Sequence, residues 1–121
     1  MPNIVIIGAS SDRAKFGNKA VRAYVKQGFT VYPIHPKETE IEGVKVYKSI
    51  LDVPEKEIDR VSFYLAPQIG MKVIEEVAKK KVGEVWLNPG AESNELVDKA
   101  EKLGLNVICA CSIIDVGEMP S

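Results

Sequence analysis

The chain has 121 residues, of which 45% are hydrophobic and 27% are charged, a composition typical of one soluble domain. Sixteen Lys and Arg residues against 17 Asp and Glu residues give a net charge of -1, which argues against a nucleic-acid-binding domain with its usual basic excess. No apolar run approaches the ~20 residues of a membrane helix, the start Met1-Pro2-Asn3 has no leader pattern, and two cysteines are too few for a disulfide framework. We therefore expect a single cytoplasmic domain over residues 1–121.

Apolar segments of two kinds alternate along the chain. Continuous apolar runs are typical of strands buried on both faces of a parallel sheet, and they alternate with stretches whose apolar residues recur at helical spacing. The predicted elements are a strand at 4–7, a helix at 17–27, a strand at 29–34, a short edge strand at 44–47, one helical turn at 49–53, a strand at 59–65, a helix at 69–78, a strand at 84–87, a helix at 96–103 and a strand at 105–110.

This alternation predicts an α/β fold, a three-layer, doubly wound, Rossmann-like and mainly parallel sheet of five strands. We expect the strand order 3-2-1-4-5, in which the segment 59–65 is the third strand. Gly28, Gly83 and Gly104 lie between a helical stretch and the next strand, and we expect each of them to end a helix.

The loops after the predicted strands carry the least regular residues of the chain. In an open doubly wound sheet, ligands bind at the carboxyl ends of the strands, where these loops meet. Any one such loop is explained by the need to end a strand, but their coincidence on one edge indicates a ligand site. The loops contain Gly8-Ala9-Ser10, Lys15-Phe16-Gly17, His35-Pro36-Lys37, Ala66-Pro67, Asn88-Pro89-Gly90 and Cys111.

The first of these loops has the features of a phosphate-binding loop. Gly8 allows a sharp turn off the strand, and Gly17 opens a helix whose positive N-terminus attracts anions. Lys15 adds a full positive charge beside it. The dinucleotide fingerprint G-x-G-x-x-G is not present, because Ser10 and Arg13 stand where it requires glycines.

The loop after the second strand argues against NAD. Proteins that bind NAD usually carry Asp or Glu there for the ribose hydroxyls, whereas this chain has His35-Pro36-Lys37. A neutral or positive loop suits a phosphorylated ribose better.

Three segments carry a resemblance to a known family over nearly the whole chain. They are Gly8-Ala9-Ser10 with Lys15-Phe16-Gly17, then Val31-Tyr32-Pro33-Ile34-His35-Pro36, then Trp86-Leu87-Asn88-Pro89-Gly90. In order and spacing they are similar to the small CoA-binding domain family, which is related to the CoA-binding domain of the succinyl-CoA synthetase alpha subunit. The family fold is Rossmann-like.

The resemblance implies that coenzyme A, free or as an acyl-CoA, lies along the carboxyl edge of the sheet. By the same resemblance, the pyrophosphate is held by Gly8, Ala9, Ser10, Lys15, Phe16 and Gly17. The ribose and its 3′-phosphate are bordered by His35, Pro36 and Lys37. The adenine or the start of the pantetheine is flanked by Leu65, Ala66 and Pro67, and the pantetheine path is lined by Asn88, Pro89 and Gly90. The chain departs from the family in two places. The family more often has Asn at His35, and it often has an Asp-Arg-Cys run where this chain has Cys109-Ala110-Cys111, so that only Cys111 matches.

The sequence contains no recognisable catalytic or metal site. The single histidine, His35, lies in a nucleotide-edge loop, and one histidine with two cysteines gives no zinc set. There is no nucleophile elbow. We expect Cys109 to be a buried small hydrophobe and Cys111 to lie on the ligand edge, where a mixed disulfide with the CoA thiol is a hypothesis that mass spectrometry of the non-reduced protein can test.

The leading interpretation is a non-catalytic CoA-binding protein that acts as a carrier, a sensor or a subunit for a partner. The sequence does not choose between a partner protein and a homo-oligomer. One alternative is a small NAD(P)-binding oxidoreductase domain, against which Ser10, Arg13 and the missing acid after the second strand count. Another alternative is an interaction domain that has lost its ligand.

Overall fold

The computed structural model describes residues 2–120. It contains seven strands, four α-helices and one short 3-10 helix in this range. The strands are β1 (Asn3–Ile7), β2 (Thr30–Ile34), β3 (Glu40–Ile41), β4 (Val44–Lys45), β5 (Glu57–Phe63), β6 (Lys81–Leu87) and β7 (Val107–Cys109). The helices are α1 (Phe16–Lys26), the 3-10 helix (Ile50–Asp52), α2 (Pro67–Val77), α3 (Asn94–Lys102) and α4 (Ser112–Asp115).

Five strands form one parallel sheet in the order β2-β1-β5-β6-β7, and β3 and β4 form a separate antiparallel hairpin. The α/β doubly wound class is therefore confirmed. A parallel bridge pairs Tyr47 with Ile34 of β2, so the segment at Tyr47 extends the sheet by one short strand position next to β2. With the segment at Tyr47 counted as the third strand, the sheet follows the predicted 3-2-1-4-5 pattern and ends with β7.

The prediction was wrong about which segment is the third strand. The segment numbered third in the sequence, now β5, pairs with β1 and not with β2. The reason lies in the crossover between Tyr47 and β5. This crossover buries Ile50 and Val53 in the same core cluster as Val5 and Val61, so it crosses one face of the sheet and delivers the chain to the far side of β1.

The sheet separates two layers of helices. Val5 and Ile7 of β1 belong to the core cluster that also contains buried residues of α2 and α3. Ile4 and Ile6 belong to the cluster on the other face, with buried residues of α1 and with Ile113 of α4. Because successive side chains of a strand point to opposite faces, one continuous apolar run fills both cores.

Local signals account for most helix ends. The Ser93 side chain caps α3 by accepting from the Leu96 N–H at 3.0 Å, and Gly28 and Gly104 follow α1 and α3 with φ of +84° and +83°. Gly83 is the exception to the prediction. It lies inside β6, where a Cβ would come within 2.7 Å of the Asp59 carbonyl oxygen, so the close approach of β5 explains this glycine.

The pairing of β3 with β4 and the helix α4 were not predicted, although β4 itself lies within the predicted edge strand at 44–47. Both are short, and each depends on contacts with α1 that are distant in sequence, such as the 2.8 Å hydrogen bond from the Tyr24 hydroxyl to the Ser112 carbonyl. Within residues 2–120, every helix is too short or too polar to cross a membrane.

Candidate functional site

Two clefts open at the carboxyl ends of the central strands. The first, called here the Cys111 cleft, has a volume of about 570 Å³ and the second, the His35 cleft, about 540 Å³. They adjoin, because both are lined by Gly8, Lys15, Tyr64 and Leu65. The Cys111 cleft is completed by Ala14, Phe16, Gly17, Ala66, Pro89, Gly90, Ala91 and Cys111. The His35 cleft is completed by Ile7, Ala9, Ser10, Ile34, His35, Pro36, Lys48, Ser49, Ile50, Ile69, Val73 and Glu76.

The junction of the clefts depends on a close approach of two glycines. Gly8 ends β1 with φ of +89°, and a Cβ there would come within 2.9 Å of the Tyr64 backbone. Gly17, in the first turn of α1, packs on Gly8 so closely that its Cβ would be 2.2 Å from the Gly8 carbonyl oxygen. Only glycine fits at either position, so the N-terminus of α1 lies directly against the end of β1.

The loop between them is ordered by its own hydrogen bonds. The Ser10 hydroxyl accepts from the Asp12 N–H at 3.0 Å, and the Asp12 carboxylate accepts from the Ala14 N–H at 3.0 Å. Lys15 then enters α1 with extended backbone (φ -84°, ψ 147°) and provides no side-chain cap. Since the first N–H groups of a helix have no partner within it, the uncapped start of α1 presents donors and positive charge beside Lys15.

His35 has a defined tautomer in the second cleft. Its Nδ1 accepts from the backbone N–H groups of Lys37 and Glu38, both at 3.0 Å. A ring nitrogen that accepts carries no proton, so the proton of the neutral imidazole is on Nε2. The backbone of His35 is held as well, because its N–H donates to the Tyr47 carbonyl at 3.0 Å.

The two lysines of the His35 cleft come from different loops. Lys15 was expected, whereas Lys48, just after the bridge residue Tyr47, was missed, and Lys37 is exposed and lines neither cleft. Within residues 2–120, neither Lys15 nor Lys48 has an ion-pair partner. Glu76 also lines this cleft, but its carboxylate accepts from the Ser49 hydroxyl at 2.7 Å.

Most of the predicted site residues line one or both clefts, and three of them do not. The lining residues are Gly8, Ala9, Ser10, Lys15, Phe16, Gly17, His35, Pro36, Leu65, Ala66, Pro89, Gly90 and Cys111. The others are Lys37, Pro67 and Asn88. Pro67 is the first residue of α2, where its fixed φ and missing N–H suit a helix start.

Asn88 was expected to line the pantetheine path, and its side chain is instead buried below the cleft, with 2% exposed. Its Nδ2 donates to the Ser62 hydroxyl at 2.8 Å and to the Phe63 carbonyl at 2.9 Å. Its Oδ1 accepts from the Ser112 N–H at 2.9 Å. Both ends of the amide are therefore used to join β5, β6 and the start of α4.

Tyr64, like Lys48, is a lining residue that the sequence reasoning missed. It directly follows β5 and lies between the two clefts, with its hydroxyl 3.1 Å from the Ser112 hydroxyl. Burial raises the pKa of Tyr64 to about 12, although the hydrogen bond to Ser112 acts in the opposite direction. The predicted strand ran to residue 65, so Tyr64 was counted as part of the strand and not as part of the loop after it. Its position close to the carboxyl end of that strand was the signal that could have identified it.

The two cysteines have different surroundings. Cys109 is exposed, which contradicts the expectation of a buried residue, because it ends the three-residue edge strand β7 and no element covers it. Cys111 is half-buried in the wall of its cleft. Its mixed disulfide with a ligand thiol stays a hypothesis.

The site has the chemistry of a binding surface with a positively charged, anion-binding centre. Donors and positive charge meet at the junction of the clefts, while aliphatic side chains such as Ile34, Ile69 and Leu65 form much of the walls. Within residues 2–120, no group of three or more His, Cys, Asp or Glu side chains is arranged to hold a metal ion.

Comparison with known proteins gives a match over most of the chain. Residues 2–116 match a protein family described as a CoA binding domain. The alpha subunit of ADP-forming acetate–CoA ligase II of Pyrococcus furiosus is 32% identical over 116 residues, which cover 87% of this chain and 25% of that protein. An ADP-forming acetate–CoA ligase of Methanocaldococcus jannaschii is 33% identical over 114 residues, covering 88% and 16%. The chain thus spans a quarter or less of the length of these relatives.

Solved structures with the same fold include short and long proteins. A conserved hypothetical protein of Pyrococcus furiosus superposes with a TM-score of 0.84 and 31% identity, over 95% of this chain and 99% of that one. The dinucleotide forming acetyl-coenzyme A synthetase 1 of Ca. Korarchaeum cryptofilum, in complex with phosphate and ADP, superposes with a TM-score of 0.76 and 29% identity, over 90% and 26%.

Proposed function

The chain belongs to the CoA binding domain family, and from this premise we propose that it binds coenzyme A or an acyl-CoA along the carboxyl edge of its sheet, without catalysing a reaction itself. CoA is a long ligand with a nucleotide at one end, a pyrophosphate in the middle and a pantetheine arm that ends in a thiol. A site for it therefore needs two extended compartments with an anion-binding centre between them.

The observation that carries the proposal is the junction of the two clefts at Gly8 and Lys15. The pyrophosphate would lie there, against the uncapped first turn of α1. The Gly8–Gly17 approach supports this assignment, because it holds the N-terminus of α1, with its unpaired N–H groups, directly against the end of β1.

We assign the nucleotide end to the His35 cleft. Its aliphatic walls suit an adenine ring, and Lys15, Lys48 and the His35 Nε2–H supply donors for the ribose 3′-phosphate. In this assignment Lys48 takes the role that the family resemblance implied for Lys37. The pantetheine arm would then cross Tyr64 and run through the Cys111 cleft past Pro89 and Gly90.

The non-catalytic part of the proposal concerns the matched segment and rests on its site residues. The relatives named as ligases are at least four times longer than the matched segment, so their reaction is not transferred to this chain. The one histidine, His35, uses Nδ1 to hold its own loop. A carrier, a sensor or a subunit that presents CoA to a partner protein, or to another copy of the chain, fits these observations.

Thermal shifts with a panel of ligands test the proposal. CoA, acetyl-CoA, dephospho-CoA, NAD, NADP, FMN and ATP are compared, each at about 100 times its expected Kd. A ligand that binds only the folded state then adds about 2.7 kcal/mol, which is a rise in Tm of about 10 °C for a domain of this size. CoA and acetyl-CoA should give this rise. A rise with NAD or NADP alone would indicate the oxidoreductase alternative, and no rise at all would indicate an interaction domain.

A charge reversal locates the site. Lys15→Glu removes a charged donor and adds a repulsive charge at the junction, so CoA affinity should fall roughly 10- to 100-fold, the equivalent of one charged hydrogen bond. Lys56→Glu is the matched control, because Lys56 is also exposed but precedes β5, at the amino ends of the strands and away from the clefts. Equal CoA affinity of the two variants would contradict the assignment of the pyrophosphate to this loop.

A further inference from the structure

The turn of the β3–β4 hairpin contains an unusual residue. The two-residue turn is Glu42-Gly43, with φ of +50° and +77°, which is the pattern of a type I′ turn. Glu42 is the only residue other than glycine with a positive φ within residues 2–120. Asn, Asp and Gly are the residues that tolerate this conformation, so Glu is unfavourable for the turn itself. A reason for Glu42 must therefore come from what its side chain contacts outside the turn.

The Glu42 side chain reaches from the hairpin to the first loop of the site. Its Oε2 accepts from Asn18 Nδ2 at 3.1 Å and lies 3.5 Å from Arg13 Nε. Asn18 is fully buried, and the same Nδ2 donates to the Ser10 carbonyl at 2.9 Å. Glu42 is therefore connected to both ends of the segment 10–13. It reaches Ser10 through Asn18 and it contacts Arg13 directly.

Further contacts extend this connection. Asn18 Oδ1 accepts from Arg22 Nε at 2.8 Å, and Arg22 in turn donates to the Arg13 carbonyl at 3.0 Å. Ser11 donates its hydroxyl proton to the Glu38 carboxylate at 3.2 Å, just before the hairpin begins. The segment 10–13 is thus held from one side by α1 and from the other side by the hairpin.

We propose that Glu42 is a positioning residue for the CoA site, which fixes the β1–α1 loop in its binding conformation before the ligand arrives. The inference rests on the proposed function. A loop that is already ordered loses less conformational entropy on binding, so the unfavourable turn at Glu42 is retained because it raises ligand affinity. The length of the Glu side chain is what lets it contact Asn18. A shorter residue such as Asn would stabilise the turn but would not make this contact.

Two substitutions at this position separate reach from charge. Glu42→Asn creates Asn-Gly, the preferred type I′ sequence, but withdraws the side-chain oxygen by about 1.5 Å, one carbon–carbon bond. Glu42→Gln keeps the reach to Asn18 and removes only the charge. Glu40→Asn is the matched control in the same hairpin, since Glu40 is exposed and makes none of these contacts.

The expected result is a loss of affinity without a loss of stability. By calorimetry with CoA, Glu42→Asn should bind about 5- to 10-fold more weakly, while Glu42→Gln and Glu40→Asn stay within about twofold of the unmodified protein. The Tm of Glu42→Asn without ligand should not fall, because the better turn offsets the lost contacts. Amide hydrogen exchange of residues 10–15 without ligand should be faster in Glu42→Asn and normal in Glu42→Gln.

Each other outcome has a distinct meaning. If Glu42→Asn binds CoA as tightly as the unmodified protein does, the positioning role is wrong while the proposed function stands. If both substitutions at Glu42 tighten binding, the carboxylate acts on the ligand by charge and not by reach, which also overturns the inference. If the unmodified protein does not bind CoA, the proposed function fails and the positioning role fails with it.

Discussion

Gly17→Ala is the substitution for which the structure gives an unexpected sign. In an exposed helical position, Gly→Ala stabilises a protein by about 1 kcal/mol through helix propensity. At Gly17 the new Cβ would come within 2.2 Å of the Gly8 carbonyl oxygen and 3.1 Å of the Ala9 Cα. Both neighbours are backbone, so α1 must move away from β1. Overpacking of this kind costs roughly 3 kcal/mol, and the net destabilisation is about 2 kcal/mol, or about 8 °C in Tm.

Gly70→Ala is the control for this prediction. Gly70 is also inside a helix, but a Cβ there meets the end of the flexible Leu96 side chain at 3.0 Å and no backbone atom within that distance. Its steric cost and its propensity gain should nearly cancel, within about 1 kcal/mol. Urea unfolding of both variants, with and without CoA, measures the difference. If Gly17→Ala is as stable as Gly70→Ala, the close approach of α1 to β1 is not real and the reasoning about the junction fails.

The remaining predictions concern Tyr64 and the cysteines. The unfolded phenol of Tyr64 ionises near pH 10 while the folded one keeps its proton to about pH 12, so stability falls over this interval by roughly 2–3 kcal/mol. The stability advantage of the unmodified protein over Tyr64→Phe should therefore shrink as the pH rises from 9 to 12 in urea titrations, and a constant difference would contradict the burial of this hydroxyl. Acetyl-CoA, which has no free thiol, should slow maleimide labelling of Cys111 at least tenfold and leave Cys109 unaffected, as mass spectrometry of the labelled peptides can show. Equal labelling of Cys111 with and without acetyl-CoA would place the pantetheine arm elsewhere.

Most elements of the sheet and the long helices were predictable because their signals are local. The run at Ile4–Ile7 is apolar throughout since both of its faces are buried, and Gly28 and Gly104 end helices by their own conformational freedom. The identity of the third strand was not predictable in this way. It depends on Ile50 and Val53, which decide by burial on which side of β1 the chain returns.

The site was predictable as a set of loops and less so as a set of side chains. Strand ends place Gly8, Lys15 and Gly17 on one edge in any doubly wound sheet, and the structure brings them together. The burial of Asn88 and the exposure of Cys109 depend instead on what packs over each residue. The spacing of residues along the chain does not predict this packing, because α4 and the edge position of β7 arise only from long-range contacts.

A crystal structure of the complex with CoA tests the central claim most directly, because it gives the position of the pyrophosphate. We predict pyrophosphate oxygens within about 3 Å of the backbone N–H groups of Phe16 and Gly17, with the adenine in the His35 cleft and the thiol towards Cys111. A pyrophosphate away from the start of α1, or a nucleotide in the Cys111 cleft, would contradict the account.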